Sequence, residues 1–508
     1  MSPSFEDIPK SGLWKRLLLG AMLVVFATAS ATAVAAFREI DRVVDALKPG
    51  QDLQLGNDIA ITDPGDPQTI MLLGSDRRPD DATDGGAGTG ARSDTIILVR
   101  LDPDENATAL MSLPRDLKVE IPGHGTDKLN AAYDLGGPRL TLKTVKRLTG
   151  LPINHVINVD FRGFQRAVDA IGCIYVDVDR RYFNDSPGFA YINIYPGYQK
   201  LCGEEALEYA RFRYEDSDIV RSARQQDLLR EAKQQVGAGQ LFKDRDKLIR
   251  IFGRYTTTDE ELKTRAGVLT LLKLAVGTVE DPIREIHFEG QITDGDEQAG
   301  LPSFVEASDA TVKRLTAQFL GVEETKGPRS EGVPRRAAPE ARPPRDPDGG
   351  LFKSSESGLA QAQAAIQGGA ARGGRLPIYY PTVFLKGSQF TDVPRSYRIR
   401  TPGGDIERGY RMVLQGRIVG DYYGVQGTTW KDPPILDGPS EERTAGGRTF
   451  ELHYDGDRVR LVAWRTEKAV YWVSNTLLQT LTERQMLSIA RETRLPKPTK
   501  PKQRRRAR

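Results

Sequence analysis

Leu17 to Phe37 is a run of 21 residues without a charge. As a helix it rises about 32 Å, enough to cross a bilayer, so everything after it lies on one side. Lys10, Lys15 and Arg16 precede the run and Arg38 and Arg42 follow it, which leaves the positive-inside bias small. The shortness of residues 1–16 is the stronger reason to keep that end in the cytoplasm. Ala-x-Ala sequences between Ala27 and Ala35 leave a cleaved signal peptide as the alternative. Both readings export residues 38–508. The reading taken here is a single-pass anchor in the cell membrane with the bulk of the chain extracytoplasmic.

A chain of 508 residues exceeds one ordinary core. Residues 38–67 are polar and read as a linker. From 68 to 321 strand and helix patterns alternate, predicting an α/β domain with helices on both faces of its sheet. The strands fall at Ile70–Leu73, Asp94–Leu101, Thr108–Leu113, Ile153–Val159 and Cys173–Val178. The helices fall at Leu140–Leu148, Phe161–Ala170, Glu204–Arg211, Leu241–Phe252, Glu260–Val276 and Ser303–Leu320. Residues 322–375, rich in Pro, Gly, Arg and Glu, read as a disordered linker with a short helix at Leu359–Ile366. Residues 376–494 read as a smaller α+β domain, with strands at Tyr410–Leu414, Phe450–Tyr454, Val459–Trp464 and Ala469–Val473 and a closing helix at Leu477–Ala490. Its Trp430, Trp464 and Trp472 serve either a sugar-binding face or, the more common use, a core. Residues 495–508 form a basic tail able to touch anionic lipid or wall polymer. The 72 basic and 69 acidic residues nearly cancel, so nothing points to nucleic acid. Export permits Cys173 and Cys202 to pair. Closing a loop of about 30 residues is worth roughly 3–4 kcal/mol, and two buried thiols are the alternative.

Charges gather where the first strands end. Asp76 and Arg78 follow the first, Arg92 and Asp94 open the second, and Arg115 and Asp116 close the third. Adjacent strands bring these groups to one edge, where carboxylates suit Mg2+ and guanidinium forks suit phosphate. Loop charges and surface ion pairs produce the same pattern. A second concentration, ARFRYEDSDIVRSARQQDLL, places Arg211 and Arg213 two apart and Arg221, Arg224 and Gln225 within about one helical turn. Glu215, Asp216 and Asp218 are possible internal partners. There is no G-x-x-x-x-G-K-[ST], G-x-S-x-G or H-E-x-x-H, and none of the four histidines is paired at ligand spacing.

GSDRR at Gly74–Arg78, RSDTIIL at Arg92–Leu98, SLPRDL at Ser112–Leu117 and KLNAAYDLGG at Lys128–Gly137, followed by R-x-R, an Asp and R-x-x-R-Q, together resemble the LytR-CpsA-Psr family over Gln68–Leu320. The resemblance implies a mixed central sheet flanked by helices and a membrane-anchored phosphotransferase. Such an enzyme moves a glycopolymer from a polyprenyl-diphosphate carrier to a peptidoglycan sugar hydroxyl. It implies Mg2+ (or Mn2+) on Asp76 and Asp94, and diphosphate contacts from Arg78, Arg92, Arg115, Arg211, Arg213, Arg221, Arg224 and Gln225. Phosphoryl transfer needs positioning and charge neutralisation rather than a covalent nucleophile. Asp94, Arg115 and Asp218 are the candidate catalytic residues, with Asp94 or Asp218 as proton acceptor. A lipid donor requires an apolar slot, for which the segments Leu140–Leu148, Phe161–Ala170 and Leu228–Phe252 are the candidates. The glycine-rich loop Pro79–Gly90 is long enough to close over a substrate. A polyprenyl-diphosphate hydrolase and a non-catalytic envelope-binding or regulatory module are the alternatives. The role of residues 376–494 is not implied.

Overall fold

The computed structural model describes residues 53–75, 93–293, 303–322 and 350–497, with a few residues between 38 and 45. Gaps within these ranges fall at 54, 64, 106, 187–189, 214–215, 236–237, 279–282, 371–375, 418–419 and 457. Among the described residues no helix is long and apolar enough to cross a membrane. The expected span Leu17–Phe37 lies outside them, as do most of the expected linker 322–375 and nearly all of the basic tail.

The first unit is built on a six-stranded mixed sheet. β1 (Gln68–Ser75) lies between β2 (Ser93–Asp102), antiparallel, and β6 (His155–Asp160), parallel. β3 (Ala107–Leu113) continues beyond β2 and leads into the hairpin β4 (Lys118–Ile121) and β5 (Gly125–Lys128), β11 (Thr256–Thr258) closes one edge on β6, and β12 (Ile283–Ile286) closes the other on β3. The two-residue alternation along β1 to β3 divides the apolar side chains between two faces. Met71, Leu73, Ile96, Leu98, Met111 and Leu113 meet α1 (Ala131–Thr149) and α7 (Asp309–Phe319). On the opposite face Ile70, Leu101 and Ile157 lie under α5 (Ala238–Tyr255) and α6 (Arg265–Gly277), with Phe252, Leu271 and Leu274 packed against them.

Beside the main sheet stands a smaller layer. It comprises the pair β7 (Ile174–Val178) and β10 (Gly197–Leu201), the hairpin β8 (Tyr182–Asn184) and β9 (Ile192–Ile194), and helices α2 (Phe161–Ala170), α3 (Gly203–Arg211) and α4 (Asp218–Gln235). Cys173, left-handed at φ 68°, is bonded to Cys202 at the N-terminus of α3, as expected.

Four boundaries differ from expectation for local reasons. The segment expected as a linker before residue 68 is partly docked: Leu55 is buried in the core and Asp58 pairs with Arg139 at 2.7 Å. The helix expected from Glu260 begins at Arg265, and the one expected from Ser303 at Asp309, after a strand and the N-cap Ser308. The closing helix starts at Glu483 rather than Leu477, because Thr482 and Gln485 cap it reciprocally and Gln479 is left-handed.

The second unit begins earlier than residue 376. The strand Leu351–Lys353 pairs with Val383–Leu385, and α8 (Ser355–Gln367) buries Ala362 and Ala365 in the core of an eight-stranded antiparallel sheet. The sheet's other face joins the first unit. Tyr175 and Tyr198 of β7 and β10 pack with Trp430 and Trp472, while Trp464 is fully buried in the core that contains α8 and α9 (Glu483–Arg491). Trp464 and Trp472 thus serve packing rather than an exposed sugar-binding face.

Candidate functional site

The two charged stretches, about a hundred residues apart in sequence, meet at one end of the main sheet. After β3, Arg115 and Asp116 occupy a turn held by Lys128–Asn130: the Asn130 N–H donates to the Arg115 carbonyl at 3.0 Å, and the Lys128 ammonium lies 3.4 Å from the Asp116 carboxylate. The Asp116 N–H donates to Asp218 Oδ2 at 3.3 Å, and Asp218 Oδ1 pairs with Arg221 one helical turn along α4. Gln225, the next turn, donates to Thr95 Oγ1 at 3.0 Å and to the Ala210 carbonyl at 3.2 Å. That bond joins α4 to the start of β2. There Gly74 pairs with Thr95 and Ser75 with Ser93 across a bulge. Ser75 Oγ is buried without a hydrogen-bond partner among the described residues.

Of the expected metal ligands, Asp94 lies at this bulge by its backbone and Asp76 is the residue after β1. Asp76, Arg78 and Arg92 lie outside the described residues, as does the loop Pro79–Gly90. Among the described residues neither cluster of potential metal ligands is at this edge: one is consumed by the disulfide and the other is Glu285, His287 and Asp455.

The arginines separate into two kinds. Arg211, the last residue of α3, is exposed with its guanidinium 4.0 Å from the Phe161 ring centroid, and Arg213 is also exposed. Arg224 is fully buried. It donates to the carbonyls of Tyr209 and Phe212, each at 3.0 Å, and to Asp216 at 2.7 Å, and it lies over the Tyr182 ring. Its guanidinium ties α3 to α4, an internal ion pair of the kind the sequence left open. Arg180, which sequence reasoning did not single out, completes the cluster from the other side of Asp216 at 2.7 Å. The Asp-Arg-Arg run at 179–181 was its only local signal.

Asp218 is likewise held in a network. Burial raises its pKa and the adjacent Arg221 opposes that shift. With one oxygen on Arg221 and the other accepting a backbone N–H, it orients a guanidinium.

Two apolar cavities lead away from this polar edge. The nearer, about 180 Å³, has Gly74, Thr95, Arg211 and Gln225 at its mouth and Leu72, Ile97, Phe164 and Leu228 along its wall. The farther, about 420 Å³, lies between α2 and α5 and is lined by Val159, Phe164, Ala167, Leu248, Ile251 and Phe252 among others. Val159 and Phe164 belong to both, so the two abut. Gly163 sets the spacing, since a Cβ there would come within 2.5 Å of Tyr255 Cβ. Of the three expected slot segments, Phe161–Ala170 and the one ending at Phe252 do line it. Leu140–Leu148 does not: Leu142 and Val145 fill the core on the opposite face of the sheet.

Residues 30–318 match the model of the LytR_cpsA_psr family. The chain is 36% identical over 195 residues to a Bacillus cereus protein named polyisoprenyl-teichoic acid–peptidoglycan teichoic acid transferase TagU, covering 38% of this chain and 60% of that one. It is 29% identical over 324 residues to the protein of the same name from Oceanobacillus iheyensis, covering 61% and 94%. Among solved structures, B. subtilis TagV is similar at 26% identity and TM-score 0.40, over 51% of this chain and 97% of that one.

Proposed function

Because this chain belongs to the LytR-CpsA-Psr family, we propose that it transfers a glycopolymer from a polyprenyl-diphosphate carrier to a sugar hydroxyl of peptidoglycan. The observation that carries the reading is the continuity of the polar edge with the two abutting apolar cavities. Such a site fits a ligand with a charged head and a long hydrocarbon tail. The names of the B. cereus and O. iheyensis relatives supply the reaction class.

Arg211, Arg213, Arg221 and Gln225, with Arg115 across the turn, are assigned to the diphosphate, with Arg78 and Arg92 joining from the loop between β1 and β2. The acceptor oxygen forms a bond to the glycosyl-bearing phosphorus, the bridging P–O bond breaks, and polyprenyl phosphate leaves. Asp218 holds Arg221 in place. Asp94 is left as the proposed acceptor of the hydroxyl proton, because both oxygens of Asp218 are engaged. The candidate donors Asp76, next in sequence after β1, and Asp94, within β2, are both carboxylates, a donor chemistry that fits Mg2+ or Mn2+. The ion, when bound, neutralises charge on the diphosphate oxygens.

The test uses the full-length chain in detergent with a lipid-linked donor, with and without peptidoglycan. Polymer should become wall-linked, and polyprenyl phosphate should appear only when acceptor is present; release to water alone would make the protein a hydrolase. Chelation and Asp94→Ala should each reduce transfer roughly 100-fold or more. Ala167→Trp should exclude a long polyprenyl diphosphate while geranyl diphosphate still binds. If the long lipid binds this variant as well as wild type, the tail lies elsewhere.

A further inference from the structure

The β8–β9 hairpin has one face in the core and one turned outward. Tyr182, Asn184, Ile192 and Ile194 point inward, so alternation places Arg181, Phe183, Tyr191, Asn193 and Tyr195 outside. Three of these are large exposed rings: Phe183 at 38%, Tyr191 at 63% and Tyr195 at 43%. They cover no core, and an exposed aromatic patch of this kind marks an interaction surface.

The face is pre-arranged. The Arg181 guanidinium lies 4.7 Å from the Phe183 ring centroid and 4.8 Å from that of Tyr195, and it donates to Asn193 Oδ1 at 3.0 Å. The Asn193 amide donates to the Tyr191 hydroxyl at 3.3 Å. From the second unit Arg395 extends the face beyond Tyr195, donating to the carbonyls of Tyr195 and Pro196 and to Gln199 Oε1. Among the described residues neither Arg181 nor Arg395 has a carboxylate partner, and the exposed Asp185 pairs with neither. At the root of the hairpin, Arg180 shares Asp216 with Arg224 and so ties this face to the loop bearing Arg213.

Rings interleaved with unneutralised guanidinium groups, amides and hydroxyls match a polymer of sugars that also carries carboxylates. The C–H face of a pyranose lies against an aromatic ring, its hydroxyls meet amide and phenol groups, and carboxylates meet arginine. A bilayer fits less well, since Arg181, seated between two rings, would be carried toward hydrocarbon with them. We propose that this face, with Arg395, is the docking surface for the peptidoglycan strand that serves as acceptor. The proposal rests on the transfer reading above.

The test is binding of soluble, lipid-free peptidoglycan strands to the full-length chain in detergent micelles, alongside binding of polyprenyl diphosphate and of phosphatidylglycerol vesicles. Tyr191→Ala combined with Tyr195→Ala, and separately Arg181→Gln, should weaken strand binding about tenfold or more. Diphosphate binding and the melting temperature should stay at wild-type values. Tyr195→Phe should retain most of the affinity. If the double variant fails to fold, Tyr191→Ala alone, at the most exposed ring, decides. Variants that bind strands like wild type overturn the proposal alone. Variants that lose vesicle binding but keep strand binding make the face a membrane contact and overturn it too. A wild-type chain that binds diphosphate but neither binds nor modifies strands overturns the transfer reading and this proposal with it.

Discussion

Four arginines that look alike in sequence differ in what their removal should do. Arg211 and Arg213 are exposed, so Arg211→Ala and Arg213→Ala should change stability by no more than about 0.5 kcal/mol. Each should weaken diphosphate binding by roughly 1.5–3 kcal/mol through loss of a charge-assisted contact. Arg224→Ala leaves the buried Asp216 with Arg180 alone and takes the donor from two carbonyls, and should cost about 3 kcal/mol. Thermal melts paired with diphosphate titrations check both. A stable Arg224→Ala protein with lost binding would return that residue to the ligand. Sequence gives no reason to separate the four, and Arg224 differs because its partners lie inside the fold.

At the scale of the element, α4 is the link between the two units. Its first turns carry Arg221 and Gln225, while its last turns carry Asp227, Arg230 and Glu231, which face the second unit. Arg230 pairs with Asp227 and Glu285 and lies near Asp455, and Glu231 accepts from Arg460 at 2.9 Å. Val220 touches the second unit as well, since a Cβ on the left-handed Gly420 would come within 2.6 Å of it. Burial raises the pKa of Glu231 to about 7, against the opposing effect of Arg460. An acid with a raised folded-state pKa contributes stability that is present below its ordinary value of 4.5 and is lost as pH rises through about 7. The burial-depressed His287, at about 4, acts in the opposite sense, so the informative quantity is a difference between proteins. From pH 5 to pH 8 the melting temperature of Glu231→Gln should rise relative to wild type by roughly 2–4 °C. A gap independent of pH would mean that Glu231 stays ionised throughout.

Across the whole molecule, Asp177 on β7 is the fixed point between the units. The second unit presents three buried donors to it: Arg411, at 2.9 Å, Trp472 Nε1, at 3.1 Å, and Gln426. Removing the carboxylate leaves an uncompensated buried guanidinium, so Asp177→Ala should cost roughly 3–5 kcal/mol of docking. Calorimetry should then resolve two transitions, against a single one expected for wild type. A single unchanged transition would show that the aromatic contacts of Tyr175 and Tyr198 with Trp430 and Trp472 suffice.

Local pattern alone determined the four longer strands of the main sheet but not its short edge strands β11 and β12, and it determined the disulfide pair and both charged stretches, because two-residue alternation, export and motif spacing are properties of neighbouring residues. Motif order also tied the chain to its family. Tertiary structure decided which charges are exposed and which are held inside the fold, since Arg213 and Arg224 come from one stretch and differ in what packs around them. It decided that Phe161–Ala170 lines a slot while Leu140–Leu148 fills a core, a distinction that periodicity cannot carry because both helices are amphipathic. It also decided the placement of α4, whose sequence is polar on every side and predicts exposure. That helix is buried because one unit covers its first turns, the other covers its last, and the ionic partners come from both.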